Sequence, residues 1–312
     1  MLDVFMLTLN KVATLLIYIS VGYLLRRKHL LPEQAGRMLS LLCVMLFTPA
    51  YSILNISKSM RLEVLGRNLL LVGWGVAFAA VIIIIGRVLA KPLSRSPIER
   101  SSLTYAFTFP NYGYFGYPVI EGVFGTAMLG DFMIFAIPCA LLCSSYGYAL
   151  FQKDSKFSLI RLLKTPLVVG LIIGATVGLS GIQLPAIITG VLSGAGNCMS
   201  PCSMLLAGFM LGKFPLKQLF SGVRPYLLTA IRMLGIPAAL GGVLFLCGVR
   251  GDYLFWPLVF ACLPLGLNLV VYPESLGYEK EAADNAKLCF ISYVLALAVL
   301  PCVFAFLTKL CY

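Results

Sequence analysis

Two short segments place helix-breaking and amide residues inside stretches that are otherwise apolar. The first reads FPNYGYFGYP (109–118) and the second reads LPLGLNLVVYP (263–273). Proline removes a backbone donor and glycine weakens a helix, so each segment should interrupt the helix that carries it. An interrupted helix leaves amides, carbonyls and helix ends unpaired, and the partial positive charge of a helix N-terminus suits an anion. The two segments therefore predict a site for a small anion.

Asparagine follows a proline in both segments. Asn111 comes directly after Pro110, and Asn268 lies four residues after Pro264. Each side-chain amide offers donors and an acceptor, which could bind a substrate or satisfy the broken backbone. The tyrosines of the first segment could line a pocket or act only as packing aromatics. The predicted substrate-binding residues are Asn111, Tyr112, Gly113, Tyr114 and Asn268, and the predicted helix-breaking residues are Pro110, Pro118 and Pro264.

Two charged residues in or near apolar runs are candidates for coupling or gating. Arg232 could hold a carboxylate by paired hydrogen bonds. It lies only eight residues past Arg224, however, and that depth favours a structural or gating role. Glu121 lies three residues beyond Pro118 and could exchange a proton or help to bind a cation. It could also be a solvated residue near the outer surface, since Asp131 follows it.

The composition is that of a multi-pass membrane protein. The chain has 312 residues, of which 60% are hydrophobic and only 12% charged, and its mean hydropathy is +0.95. The net charge of +12 is explained by Lys and Arg in cytoplasmic loops, so we expect the lipid bilayer and not a nucleic acid as partner. Ten cysteines without a CxxC pair and a single histidine, His29, make a metal or redox cofactor improbable.

The apolar pattern predicts ten membrane spans, and the distribution of Lys and Arg predicts their direction. The loops after spans 1, 3, 5, 7 and 9 hold seventeen Lys and Arg residues, and the opposite side holds six. Because cytoplasmic loops are enriched in these residues, both termini should face outward from a plasma (inner) membrane. The ten spans are 4–25, 37–57, 68–90, 99–126, 130–151, 163–181, 186–211, 225–248, 253–276 and 284–308.

Prolines at a nearly constant offset predict an internal repeat. Because each half holds five spans, the second half, 153–312, enters the membrane from the side opposite to the first, 1–152, which is a common plan for secondary transporters. A packing kink is the alternative reading of a single interruption, but two at matching places favour a transport site. Thr48 and Ser200, each before a paired proline, could re-bond freed carbonyls. The pairs are Pro32 with Pro185, Pro49 with Pro201, Pro110 with Pro264 and Pro118 with Pro273.

Three segments resemble the auxin efflux carrier family, which includes plant auxin exporters and bacterial carriers of organic acids. They read NYGYFGYPVIEGVFG (111–125), AIRMLGIPAA (230–239) and LAVLPCVFAFL (297–307). The resemblance covers nearly the whole chain. Only about a dozen residues (152–163) join the halves, so the chain is similar to the compact prokaryotic type and lacks the long loop of plant exporters.

The resemblance implies an all-α integral membrane fold of ten transmembrane helices, arranged as two inverted five-helix repeats and related to the bile-acid sodium symporters. Spans 1, 2, 6 and 7 would form a scaffold, and spans 3–5 and 8–10 a transport core with broken, crossing helices 4 and 9. The resemblance also implies small carboxylate substrates, an elevator-like mechanism and a homodimer.

The sequence predicts a secondary transporter of small organic anions, driven by a proton or sodium gradient or by the gradient of the substrate itself. No GxxxxGK[ST] motif for nucleotide binding occurs. An enzyme would need a cluster of acids, His or a nucleophile within the spans, and the sequence shows none. A membrane sensor that uses a transporter fold is the alternative.

Overall fold

The computed structural model describes residues 1–152 and 162–312. Residues 153–161 lie outside these ranges. The predicted junction between the two halves, at 152/153, lies at the edge of this stretch. Three residues of the cytoplasmic charge count lie within it, namely Lys153, Lys156 and Arg161. Over the described residues the backbone is helical except for turns and one isolated β-bridge. The α-helices are α1 (Leu2–Arg27), α2 (Gln34–Leu42), α3 (Thr48–Ser59), α4 (Leu65–Leu93), α5 (Pro97–Thr108), α6 (Tyr117–Leu142), α7 (Pro166–Ser180), α8 (Ala186–Leu211), α9 (Leu216–Leu219), α10 (Arg224–Ala230), α11 (Ile236–Leu246), α12 (Asp252–Cys262), α13 (Asn268–Ser275) and α14 (Glu279–Cys311).

Several of these helices begin or end at a π-helical turn. The turns are Cys43–Phe47 between α2 and α3, Tyr112–Gly116 before α6, Cys143–Gly147 after α6, and Ile231–Gly235 between α10 and α11. A π turn inserts a residue into the helical ladder and often occurs at functional sites.

Among the described residues, six helical stretches are long and apolar enough to cross a membrane. The protein is therefore an all-helical integral membrane protein, as the composition predicts. The six differ from the ten predicted spans for physical reasons: two predicted spans are interrupted, α7 and α12 are short, and α8 carries many Gly, Ser and Asn residues. The stretches are Leu2–Arg27, Gln34–Ser59, Leu62–Leu93, Tyr112–Gly147, Arg224–Leu246 and Glu279–Cys311.

The stretch Tyr112–Gly147 is not one straight helix. Gly125 has φ 83° and ψ 176°, a backbone conformation that side-chain-bearing residues rarely adopt. The chain therefore turns at Gly125, one residue before the end of the predicted span 4 (99–126).

Close helix contacts through glycine join α1, α3, α7 and α8 into one group, here called the glycine-packed group. A Cβ atom at Gly208 of α8 would lie 1.8 Å from the Ile19 carbonyl oxygen of α1. One at Gly178 of α7 would lie 2.3 Å from the Met60 carbonyl oxygen, just after α3. Small residues let helix backbones approach in a membrane, where hydrophobic burial drives little association.

The remaining long helices combine aromatic contacts with glycine contacts of their own, since a Cβ atom at Gly75 of α4 would lie 2.2 Å from the Phe135 carbonyl oxygen of α6. The Phe260 ring of α12 lies 5.3 Å from the Phe78 ring of α4 and 5.5 Å from the Tyr112 ring. Helix α14 contacts α12 and α13, and α1 lies against both α14 and α6. The interrupted helices are thus enclosed by protein on several sides.

We expect Gly208→Ala to lower the free energy of unfolding by about 1–3 kcal/mol, the usual cost of overpacking, because the new methyl group would collide with the α1 backbone. Gly190→Ala is the matched control on the same helix, since no atom lies within 4 Å of its Cβ position. Thermal unfolding of both variants in detergent measures the difference. Equal melting temperatures would contradict the close contact between α1 and α8.

Candidate functional site

Two unwound segments meet in the interior and are here called the crossing (109–111 and 263–267). Helix α5 ends at Thr108 and α12 ends at Cys262. Pro110 and Leu265 form an antiparallel β-bridge, and the Asn111 amide donates a hydrogen bond of 2.8 Å to the Pro264 carbonyl. The backbone of one interruption is therefore paired directly with the backbone of the other.

Prolines determine which carbonyls near the crossing lack a helical donor. The carbonyl of Ala106 would accept from residue 110, and that of Leu269 from residue 273, but both positions are proline. Side chains from other helices provide the donors. Arg232 Nε donates to the Ala106 carbonyl and Asn285 Nδ2 to the Leu269 carbonyl, both at 2.9 Å. Such replacement is required because lipid offers no hydrogen bond.

Helix α14 presents a row of buried polar side chains to the crossing. Ser292 Oγ accepts a 3.0 Å hydrogen bond from the Leu265 amide, and the Tyr293 hydroxyl accepts one of 3.1 Å from Asn111 Nδ2. Asn285, one further donor of this row, is also 3.0 Å from Ser102 Oγ of α5. All three α14 side chains are buried.

Sequence reasoning missed these three residues. The available signal was their spacing, because positions 285, 292 and 293 share one face of a helix that is otherwise apolar around 292 and 293. That spacing shows a polar stripe, but it does not show what the stripe faces.

The two predicted asparagines flank the crossing. Asn111 is 5% exposed and its side-chain amide is bonded to Tyr293. Asn268 is half-buried, begins α13, and donates to the Tyr272 hydroxyl at 3.2 Å. Both side chains thus have a protein partner.

The other members of the predicted substrate-binding set lie in the π turn Tyr112–Gly116. The Tyr112 ring stacks on Phe260 at an angle of 18°, a contact that favours its role as a packing aromatic. Gly113 and Tyr114 are half-buried. Pro118 lies in the first turn of α6 just beyond the π turn, so it follows the interruption, whereas Pro110 and Pro264 lie within the crossing.

Glu121 contacts the glycine-packed group. Its carboxylate accepts a hydrogen bond of 2.8 Å from the Tyr51 hydroxyl of α3, and it is half-buried. The Tyr51 ring also stacks on Tyr117, with ring centres 5.9 Å apart. Glu121 therefore links α6 to α3 and is bonded, unlike a freely solvated surface acid.

Arg232 is fully buried in the π turn Ile231–Gly235. Besides the Ala106 carbonyl, its guanidinium donates through Nη1 to the Ala261 carbonyl at the end of α12. The structure thus connects Arg232 to the ends of both interrupted helices.

Several buried hydroxyls have no hydrogen-bond partner among the described residues. Thr48 and Ser200 do not bond to the carbonyls freed by the prolines that follow them, in contrast to the expectation from the sequence. Ser52 of α3 and Thr108 of α5 are likewise unpartnered. Within the same ranges no group of three His, Cys, Asp or Glu side chains is arranged to hold a metal ion.

Comparison with known proteins identifies one family. The sequence profile of a family described as membrane transport protein matches residues 7–158 and residues 155–304, which together span most of the chain. A search of curated proteins finds no match.

We expect Ser292→Ala to lower the free energy of unfolding by about 1–3 kcal/mol, because the buried Leu265 amide would lose the one hydrogen-bond acceptor that it has among the described residues. Ser20→Ala is the matched control, since Ser20 bonds only to a carbonyl of its own helix and is exposed. Thermal unfolding in detergent tests the pair. If both variants unfold alike, Ser292 does not hold the interrupted backbone.

Proposed function

This chain belongs to the membrane transport protein family, and from that membership and the geometry of the crossing we propose that it is a secondary transporter of small organic anions, either mono- or dicarboxylates. The match confirms the resemblance to auxin efflux carriers seen in the sequence. The observation that carries the proposal is the backbone pairing of Pro110 with Leu265, since two interruptions that meet inside a membrane protein are typical of a transport site.

The helix starts beyond the crossing support an anionic substrate. The second half of each interrupted helix begins there, with the turn at Tyr112 and with α13 at Asn268. The first N–H groups of a helix lack intrahelical partners and carry partial positive charge. At α13 the amides of Leu269 and Val270 already donate to backbone carbonyls. A carboxylate would therefore accept from the amides at the start of the Tyr112 turn and from that of Asn268, while Asn111 and Asn268 contribute polar side chains nearby.

Two packing groups support an elevator-like movement. The glycine-packed group corresponds to predicted spans 1, 2, 6 and 7 and serves as the scaffold. The helices that carry the crossing form the core of spans 3–5 and 8–10, in a fold of ten spans built from inverted halves 1–152 and 153–312. We propose that the core slides against the scaffold of a homodimer and exposes the crossing to each side in turn. The contact of Glu121 with Tyr51 joins the two groups and must break during this movement.

The energy source in this proposal is a proton gradient, a sodium gradient or the gradient of the substrate itself. Glu121 is the candidate proton carrier, because its carboxylate lies where the core meets the scaffold. Radiolabelled carboxylates in counterflow across proteoliposomes test the function, since a sensor with a transporter fold would bind them without exchanging them.

We expect Asn111→Ala to abolish counterflow of small carboxylates in proteoliposomes. The substitution removes the side chain at the crossing and leaves the Tyr293 hydroxyl without its partner. Asn10→Ala, an exposed asparagine of α1, is the matched control and should transport normally. Elution as a single peak in size-exclusion chromatography verifies that the variant is folded. Normal kinetics in folded Asn111→Ala would remove Asn111 from the site.

The predicted orientation in the plasma membrane has its own test. Seventeen Lys and Arg residues on one side against six on the other favour an orientation with both termini outside. A protease-sensitive tag added after Tyr312 should be cut by protease added to intact cells. A tag that is cut only after the cells are permeabilised would overturn the orientation.

A further inference from the structure

Arg232 binds the ends of two helices that are far apart in sequence. Its side chain is 0% exposed. Nε donates to the carbonyl of Ala106 in α5, and Nη1 donates to the carbonyl of Ala261 in α12. No acidic side chain among the described residues forms an ion pair with it, and Nη2 has no partner there.

The two carbonyls have lost their own helical donors. Pro110 has no N–H to offer Ala106. The Leu265 amide, which would serve Ala261 in a continuous helix, donates to Ser292 Oγ instead. Both carbonyls lie in the last turn of their helices, where the partial negative charge of the helix dipole is concentrated. The guanidinium carries five N–H donors in a planar fork, so one side chain can serve both.

We propose that Arg232 is a fixed internal cation that positions the two interrupted helices and gives the crossing its preference for anions. The positioning role stands independently of the transport proposal, whereas the preference for anions rests on it.

The preference follows from the charges of the helix ends. Two helix C-termini and two helix N-termini converge on the crossing, and each end carries roughly half an elementary charge. Without Arg232 the negative and positive ends would cancel. The full positive charge of Arg232 offsets both negative ends and leaves the positive ends at Tyr112 and Asn268 to act on a substrate.

The distance is short enough for this effect. Ala106 and Ala261 lie within two residues of the ends of α5 and α12, so the guanidinium that binds their carbonyls lies next to both unwound segments. Charges in a buried, water-poor site are weakly screened over such a distance. A neutral analogue of the substrate gains nothing from the same field.

The test compares Arg232→Gln, which removes the charge, with Arg232→Lys, which keeps it. Arg224→Gln is the matched control, because Arg224 begins α10, the helix that leads into the π turn of Arg232, and pairs with Glu99 in the first turn of α5. Amide hydrogen exchange of purified, ligand-free protein reports on positioning at Asn111 and Leu265. Counterflow of acetate, succinate and citrate, with acetamide and succinamide as neutral competitors, reports on preference.

In Arg232→Gln we expect the two amides to exchange about tenfold faster, because the freed carbonyls loosen the bridge. We expect KM for the transported anion to rise about tenfold in this variant, with a smaller change in kcat. Neutral competitors should then compete nearly as well as anions. Arg232→Lys keeps the charge, so its KM and its discrimination should stay within about threefold of the original protein. Its amide exchange should be intermediate, because an ammonium lacks the planar fork that serves both carbonyls. Arg224→Gln should be unchanged in both measurements.

Each other outcome identifies the part that fails. Unchanged exchange in Arg232→Gln overturns the positioning role. Faster exchange with an unchanged KM and unchanged discrimination overturns the preference for anions. If the original protein transports none of the three anions, the proposed substrate class is refuted. The positioning role then still stands, provided that the two amides exchange faster in Arg232→Gln. If Arg232→Gln does not fold, a folded Arg232→Lys that accepts neutral compounds overturns the role of charge.

Discussion

Inside a membrane, every backbone group that a proline leaves unpaired must find its partner within the protein, because lipid supplies none. Pro110 and Pro273 each free one carbonyl near the crossing, and Arg232 and Asn285 provide the missing donors. These donors come from two further helical stretches, so the interruptions hold together at least four segments of the chain. An isolated interruption of this kind would be costly, and the structure contains it only because the partners converge.

The two packing groups are held together by partly different contacts. Glycine contacts bring the backbones of α1 and α8 within van der Waals distance, an arrangement that leaves little room for rearrangement. The interrupted helices are also held by directed hydrogen bonds and aromatic rings. The bond between Tyr51 and Glu121 links the two groups. In the proposed elevator-like movement each unit would keep its internal contacts.

The sequence predicted the interruptions better than their partners. Proline and glycine act on their own backbone, so their positions indicated where α5 and α12 end. The partners depend on contacts between distant helices, and Asn111 and Tyr293 are 182 residues apart. The spacing of polar residues along one helix shows that the helix has a polar face, but it does not show which other helix that face contacts. The depth of Arg232 in its span predicts a structural or gating role. Its two partners could not be predicted, because both are backbone carbonyls and no side chain in the sequence marks them.

The hydrogen bonds at the crossing also limit which ligands the proposed site could bind. Most polar groups there are already bonded within the protein: Asn111 to Tyr293, and the Leu265 amide to Ser292. A ligand must therefore compete with existing partners, except at the start of the Tyr112 turn and at the Asn268 amide, where no backbone acceptor lies among the described residues. Because those amides are donors, a ligand rich in acceptors gains most there. A carboxylate, the proposed substrate, meets this condition, whereas a cation offers no acceptor to these amides.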